Sequence, residues 1–104
     1  MKPLAFLGSS LEDLRAFPEA ARRRTGFELR LVQRGVEPTD WKPMRSIGPG
    51  VREIRIRTGG TFRVLYLVHR GGSVYVLHAF QKKTQKTPAP DIELSRQRLR
   101  LIGD

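Results

Sequence analysis

The sequence contains no cysteine. This absence excludes a disulfide scaffold, thiolate zinc sites and cysteine catalysis, and gives no reason to place the protein outside the cytoplasm. The longest apolar runs, Val64 to Val68 and Val74 to Leu77, are far shorter than the roughly 20 residues that span a membrane. No apolar stretch of signal-peptide length follows Lys2. A chain of 104 residues has room for one core, so we expect a single cytoplasmic domain over residues 1–104 without a membrane partner.

Acidic residues are scarce in the middle of the chain. The whole sequence has 20 lysines and arginines against 10 aspartates and glutamates, a net charge of +10. Residues 41–90 hold ten of those basic residues and a single acid, Glu53. Clustered cations bind polyanions by releasing counterions from phosphates, so this asymmetry favours a nucleic-acid partner. One alternative is an acidic protein partner that covers the same surface. Another is a basic, solvated surface that binds no such partner.

The first third of the chain carries helical patterns after one short apolar run. Residues 3–7 predict a strand. The capping-box spacing of Ser9 and Glu12 predicts that a helix begins there. A longer helix is expected over residues 18–34, because apolar residues recur at helical spacing and would pack the helix on a sheet. Its predicted apolar face is formed by Ala20, Phe27 and Leu31.

The remaining segments read as a loop, strands and a last helix. Residues 36–50 hold three prolines and two glycines, which predicts a loop in which Trp41 fills a packing gap or stacks on a base. The pattern then alternates with a period of two, and the glycine pairs at 59–60 and 71–72 mark tight turns. Antiparallel strands are therefore predicted over residues 51–57, 62–69 and 74–80. A short helix follows, with Ile92, Ser95, Leu99 and Ile102 on one face.

These elements predict an α+β domain: an N-terminal strand, a helical hairpin, a three-stranded antiparallel meander and a short C-terminal helix. The helices are expected on one face of the sheet, which leaves the other face open. Alternation places Glu53, Arg55 and Arg57 on one side of their strand, and Arg63 points away from its apolar neighbours. The open face is therefore predicted to be strongly basic.

A basic face without a metal can promote RNA cleavage. The RNA 2′-hydroxyl is itself the nucleophile, and arginine or lysine can stabilise the negative charge that develops on the phosphorane. The candidate catalytic residues are Arg63, Arg55, Lys82, Lys83, His78 and Glu53. The candidate RNA-binding residues are Arg57, Lys86, Phe80, Lys42 and Arg45. The general acid or base would be the histidine, the glutamate or a lysine whose pKa is lowered by neighbouring cations.

Structural roles are the alternative for several of these residues. Glu53 would pair with Arg55 or Arg63 across the sheet, His78 would be a half-buried strand residue, and Phe80 would be a core or rim contact. Arg63 itself is expected to face solvent, so that its replacement would leave folding intact.

The sequence does not contain the motifs of metal or nucleotide sites. His69 and His78 are the only histidines, and no carboxylate cluster accompanies them in the sequence. Neither glycine pair continues into the Lys-Ser/Thr of a P-loop. We therefore expect no metal and no cofactor.

Several segments resemble a known toxin superfamily. They read VREIRI from Val51, FRVLY from Phe62 and VLHAFQKKTQKTP from Val76, and the stretch from His78 to Pro88 is the most specific part. Together with the opening LGSSLEDL, the loop WKPM and the closing DIELS, they resemble the phage-derived, HigB-like branch of the RelE/ParE superfamily over nearly the whole chain.

The resemblance implies the toxin of a type II toxin–antitoxin module. Members of the RelE and HigB type are ribosome-dependent endoribonucleases that cut mRNA without a metal, and a cognate antitoxin, usually a helix-turn-helix protein in the HigB branch, neutralises them. By position, Arg63 matches the superfamily's functional arginine, whereas the segment after Phe80 lacks the catalytic tyrosine of RelE. The alternatives are a ParE-type toxin, which binds DNA gyrase without cleaving RNA, and a non-catalytic nucleic-acid-binding module.

Overall fold

The computed structural model describes residues 1–103, which form five strands and three helices. The sequence expectations place most of these elements within one or two residues, apart from one additional strand. In chain order the elements are β1 (Leu4–Phe6), α1 (Ser10–Arg15), α2 (Glu19–Gln33), β2 (Trp41–Pro43), β3 (Arg52–Arg57), β4 (Thr61–Val68), β5 (Val74–Gln81) and α3 (Ala89–Arg100).

The strands form one sheet in the order β1-β5-β4-β3-β2. Strand β1 runs parallel to β5, and all other neighbours are antiparallel. The predicted meander of β3, β4 and β5 is confirmed, and its two turns fall at the glycine pairs. Gly59 and Gly72 have φ of +66° and +102°, a conformation that glycine adopts without the steric cost other residues meet.

Strand β2 was not expected, because its residues were predicted to lie in a loop. Trp41, Lys42 and Pro43 pair instead with β3 at the edge of the sheet. The N–H of Met44 donates to the carbonyl of Val51, so the nitrogen of Pro43 points to the unpaired side of the strand. A proline is tolerated at that position because no ladder hydrogen bond is lost there.

Helix α2 buries a different face from the one predicted. Ala20 and Phe27 are exposed, the latter with 52% of its surface, and Leu31 is only half-buried. The buried side includes Thr25 and Glu28, which apolar spacing does not select. The Thr25 hydroxyl donates to the carbonyl of residue 21, and the Glu28 carboxylate accepts from the backbone and hydroxyl of residue 39. Because these polar groups have partners, they can be buried beside Leu29 and Val32.

The helices cover both faces of the sheet, so the expectation that they share one face was wrong. Helices α1 and α2 pack on a core that includes Ile54, Val64 and Val76. On the opposite face, Ile92 and Leu99 of α3 pack against a second buried cluster of Met44, Ile47, Val51, Leu65 and Leu77. The pairing shifts from Leu65–His78 to Tyr66–Val76, and the intervening Leu77 packs in this second cluster. These apolar side chains need a cover, which α3 supplies.

A buried arginine joins α3 to the start of α1. Arg98 donates to the carbonyl of Leu77 at 2.9 Å and to the Ser9 hydroxyl at 3.0 Å. Helix α1 begins next to Ser9 as predicted, but the hydroxyl donates to Asp13 at 2.8 Å and forms no capping bond to the backbone. Within residues 1–103, no helix is long and apolar enough to cross a membrane.

The orientation of α2 can be tested with two alanine substitutions. Leu29→Ala should lower the free energy of unfolding by about 2–5 kcal/mol, because it removes fully buried methyl groups and leaves a cavity. Phe27→Ala should change it by less than about 1 kcal/mol, since an exposed side chain contributes little packing. Urea denaturation measures both values, and a larger loss for Phe27→Ala would contradict this orientation.

Candidate functional site

A basic cleft lies where β4, the end of β5 and the following segment meet. We call this surface the basic cleft, and it is lined by Arg57, Thr61, Arg63, Lys82, Lys83, Thr84 and Gln85. It lies outside the area that α3 covers, so the open face predicted from the sequence survives only in part. Four of the sequence-predicted site residues line it.

The strand register explains why cations meet here. Arg55 pairs with Arg63, and Arg57 pairs with Thr61, so their side chains share one face of the sheet. On the other side, Arg63 pairs with Phe80. Like charges directly opposite each other on neighbouring strands destabilise a sheet. The crowded guanidinium groups therefore require a compensating negative charge nearby.

Glu53 supplies that negative charge from beneath the cleft. Its side chain is fully buried, and its Oε1 lies 3.1 Å from Arg63 Nε and 3.9 Å from Lys42 Nζ. The other oxygen, Oε2, accepts a 2.6 Å hydrogen bond from the Thr87 hydroxyl. The contact with Arg63 is an ion pair whose angle does not meet that of a hydrogen bond. One buried carboxylate thus contacts three separate parts of the chain.

Arg63 is not the solvent-facing residue that the sequence suggested. Only 4% of its surface is exposed, and its guanidinium pairs with Glu53, which was the structural alternative for that glutamate. Burial lowers the pKa of Arg63, while the Glu53 carboxylate raises it and the neighbouring Arg55 lowers it further. Arginine remains charged at physiological pH despite such shifts. The structure therefore holds a fixed, partly desolvated guanidinium in the floor of the cleft.

Lys82 enters the cleft directly after β5 ends. Its backbone N–H donates to the carbonyl of Thr61 at 2.7 Å, and its Nζ donates to the carbonyl of Gln85. Desolvation lowers the pKa of Lys82, and the positive charge of Arg63 lowers it further. Lys83 and Lys86 of the same segment are exposed.

His78 does not line the basic cleft: with Phe80 it lines a separate pocket that Phe17 also lines. It has a carboxylate partner that was not anticipated. Its Nε2 is 2.6 Å from Asp91 Oδ1, and its ring stacks on Phe80 with the ring centroids 4.9 Å apart. His78 exposes only 6% of its surface. Its Nδ1 is buried and has no hydrogen-bond partner among the described residues. The imidazole is thus more deeply buried than a half-exposed strand residue and is oriented by Asp91.

The other predicted residues lie farther from the cleft floor. Arg55 is partly buried, and its Nη1 lies 3.9 Å from Asp40 Oδ1. Lys42 approaches Glu53 from strand β2. Arg45 lines a different surface near Trp41, where the Arg52 guanidinium stacks 4.0 Å above the indole ring. The cation–π contact gives this tryptophan a structural partner. The structure therefore does not bring Arg45 to the basic cleft.

Sequence reasoning missed Thr87 and Asp91. Both are short polar residues near Pro88, at the start of the last helix, where they look like ordinary capping or turn residues. The only signal in the sequence was the presence of Glu53 and His78, the acid and the base that Thr87 and Asp91 contact. Within residues 1–103, no three histidines, aspartates or glutamates lie close enough together to hold a metal ion.

The chemistry of the cleft is that of an anion site with one group suited to proton transfer. Fixed guanidinium and ammonium donors stabilise a phosphate that gains negative charge. A lysine with a lowered pKa can exchange a proton closer to neutral pH than an ordinary lysine. These properties fit a phosphodiester substrate.

The same fold occurs in solved structures of the E. coli toxin RelE. The RelE of the E. coli RelBE toxin–antitoxin complex has a TM-score of 0.67 at 20% identity, covering 81% of this chain and 100% of that chain. Isolated RelE also gives 0.67 at 20% identity, covering 83% and 89%. A RelE mutant in the free state gives 0.66 at 16% identity, covering 97% of both chains. No curated protein matches the sequence.

These neighbours define an α+β fold of the RelE class. The chain belongs to the family of phage-derived Gp49-like proteins, whose model matches residues 12–100. The resemblance to the phage-derived branch of the RelE superfamily, which covered nearly the whole chain and was most specific over residues 78–88, is thereby confirmed.

The Glu53–Arg63 pair can be tested by removing one partner and then both charges. Arg63→Ala should lower the free energy of unfolding by about 3–5 kcal/mol, because it leaves a buried carboxylate without its counterion. Adding Glu53→Gln should restore part of that loss, since glutamine is neutral and still accepts from Thr87. Urea denaturation gives the values, and Arg57→Ala serves as an exposed arginine control. Parental stability of Arg63→Ala would refute the structural role.

The lowered pKa of Lys82 predicts that this amine loses its proton at lower pH in the folded chain. Acetylation of Lys82 is followed by mass spectrometry across pH, in native protein and in urea. The half-maximal pH should be lower in native protein, and Arg63→Gln should raise it part of the way toward the ordinary 10.5. Between the pKa of Lys82 in the folded chain and its higher pKa in the unfolded chain, the unfolded chain binds more protons. The contribution of Lys82 to the free energy of unfolding therefore rises with pH over that range. Equal half-maximal pH values would contradict the prediction.

Proposed function

We propose that this protein is the toxin of a type II toxin–antitoxin module and inhibits translation by cleaving mRNA on the ribosome without a metal. The main support for this proposal is the position of Arg63. It lines the cleft together with Lys82 and is held by the buried carboxylate of Glu53. Membership of the Gp49-like family and the RelE fold support the same reading. The protein would act in the cytoplasm, where translating ribosomes are found.

In the proposed reaction the RNA supplies its own nucleophile. The 2′-oxygen attacks the adjacent phosphorus, its proton passes to a base, and the bond to the 5′-oxygen breaks. The products are a 2′,3′-cyclic phosphate and a 5′-hydroxyl that has received a proton. Arg63 would stabilise the pentacovalent phosphorane, where the charge on the equatorial oxygens is greatest, and Arg55 would add its positive field from the neighbouring strand.

Lys82 is the proposed proton-transfer group. It lines the cleft beside Arg63, and its lowered pKa increases the neutral fraction that can accept a proton. His78 is placed less well, because Asp91 occupies its Nε2 and its ring lies against Phe80. We therefore assign His78 a supporting position outside the cleft. Glu53 is fully buried beneath Arg63 and would orient it rather than reach RNA.

The exposed cations around the cleft would bind the phosphates on either side of the scissile bond. Arg57 and Lys83 line the cleft, and Lys86 follows on the same segment. Each phosphate contact adds affinity that weakens with salt. Phe80 pairs with Arg63 across the sheet but lines a separate pocket, where it would contact a base or sugar that extends beyond the cleft.

A cognate antitoxin is the proposed protein partner. One of the structural neighbours was solved as the E. coli RelBE toxin–antitoxin complex. By resemblance to the HigB branch, the antitoxin here would be a helix-turn-helix protein. An inhibitor of this cleft would present carboxylates, since the cleft lining holds four cations and no acid.

Primer extension on mRNA bound to purified ribosomes tests the proposed activity. The parent chain should produce cuts that need the ribosome and withstand omission of any added metal beyond what the ribosome requires. Lys82→Ala should lower the single-turnover rate by about a hundredfold or more, the usual loss when a general acid or base is removed.

Arg34→Ala is the matched control for loss of a positive charge, because Arg34 is exposed at the end of α2 and does not line the cleft. It should cleave at the parental rate. A parallel DNA gyrase supercoiling assay separates the ParE-type alternative. Inhibition of gyrase with no ribosomal cleavage would refute the ribonuclease proposal.

A further inference from the structure

The lysines of the cleft are carried by a segment with little structure of its own. We call residues 82–86 the lysine segment. It lies between β5 and α3 and contains neither helix nor strand. Lys82 is half-buried, and the next four residues are exposed. The side-chain hydrogen bonds within it are local, from Lys82 to the carbonyl of Gln85 and from Thr84 to the carbonyl of Lys86.

The segment is attached to the sheet at both ends. At its start, the backbone N–H of Lys82 donates to Thr61 of β4. At its far end, Thr87 is the first buried residue after β5, and its hydroxyl donates to Glu53 Oε2 at 2.6 Å. A hydrogen bond to a carboxylate is shorter and stronger than one between neutral groups. The far end is therefore held by a buried bond, while the residues between are open to solvent.

We propose that Thr87 is a positioning residue that holds the lysine segment over the basic cleft through its hydrogen bond to Glu53. The same carboxylate contacts Arg63 with its other oxygen, so the guanidinium and the lysine segment are fixed relative to one another. The proposal deepens the ribonuclease assignment and rests on it for the effect on cleavage.

The expected benefit is preorganisation. Without the Thr87 hydroxyl, the lysine segment gains conformations that RNA binding must then restrict, and each ordered residue has an entropic cost. Helix α3 should stay in place, because Asp91–His78 and Arg98–Leu77 hold it independently. Loss of this one hydroxyl should therefore loosen the lysine segment without undocking the helix.

The test compares Thr87→Val, which removes the hydroxyl at nearly constant volume, with Thr87→Ser, which keeps it. Thr39→Val is a matched control, because the Thr39 hydroxyl also donates to a buried carboxylate, that of Glu28, at 2.9 Å. Thr39 does not line the basic cleft. Thermal melts check folding, and backbone NMR relaxation reports the order of residues 83–86.

Thr87→Val should lower the order parameters of residues 83–86 and reduce single-turnover cleavage by about tenfold to a hundredfold, since a shift of about 1 Å near the chemistry can cost a hundredfold. Thr87→Ser should restore both quantities. Thr39→Val should change the melting temperature but leave the order parameters of residues 83–86 and the cleavage rate at their parental values. Parental order in residues 83–86 of Thr87→Val would overturn the proposal.

If Thr87→Val does not fold, Thr87→Ala and Thr87→Ser are compared instead, since they differ only by the hydroxyl, and equal order in the two would overturn the proposal. If the parent chain cleaves no mRNA, the proposed function fails, but the NMR order and the affinity for a single-stranded RNA oligonucleotide still decide the role of Thr87. A weaker RNA affinity in Thr87→Val that Thr87→Ser restores would support it.

Discussion

The buried carboxylate of Glu53 is the contact on which the candidate site depends. It is fully buried, yet it contacts an arginine of β4, a lysine of β2 and a threonine before α3. A carboxylate without such partners would be expensive to bury, and the cations above it would repel one another. The charge therefore serves two ends at once: it stabilises the crowded cations, and it fixes Arg63 and the lysine segment in one arrangement.

Cations face one another at the basic cleft, at a cost to the stability of this small domain. Arg55 and Arg63 are directly opposite each other across two strands, an arrangement that a sheet selected for stability alone would avoid. Partial burial strengthens their field toward a phosphate, because fewer water molecules screen it. The same burial lowers the pKa of Lys82. Electrostatic strain is thus concentrated at the surface where an anionic substrate would relieve it.

Much of the fold could be predicted from local patterns. The glycine pairs and the period of two marked the β3–β5 meander, the capping-box spacing marked the start of α1, and helical spacing marked α2 and α3 within a few residues. Local patterns failed where burial of polar groups decided the outcome. Helix α2 buries Thr25 and Glu28 in place of Phe27, because the carbonyl of residue 21 satisfies the threonine hydroxyl and residue 39, beyond the helix, satisfies the carboxylate. Strand β2 was not predicted because Pro43 and its neighbours have the composition of a loop. They fit a sheet only at its edge, and the sequence pattern does not show that position.

The sequence by itself determined the order of the strands in the meander, the concentration of positive charge in residues 41–90 and the presence of Arg63 on the side of its strand away from the core of α1 and α2. Only the tertiary structure decided how buried that arginine is and which residues contact it. The two contacts that organise the site join residues 34 and 13 positions apart, Glu53 with Thr87 and His78 with Asp91. Such pairs depend on strand register and on the placement of α3, and periodicity within one segment carries no information about either.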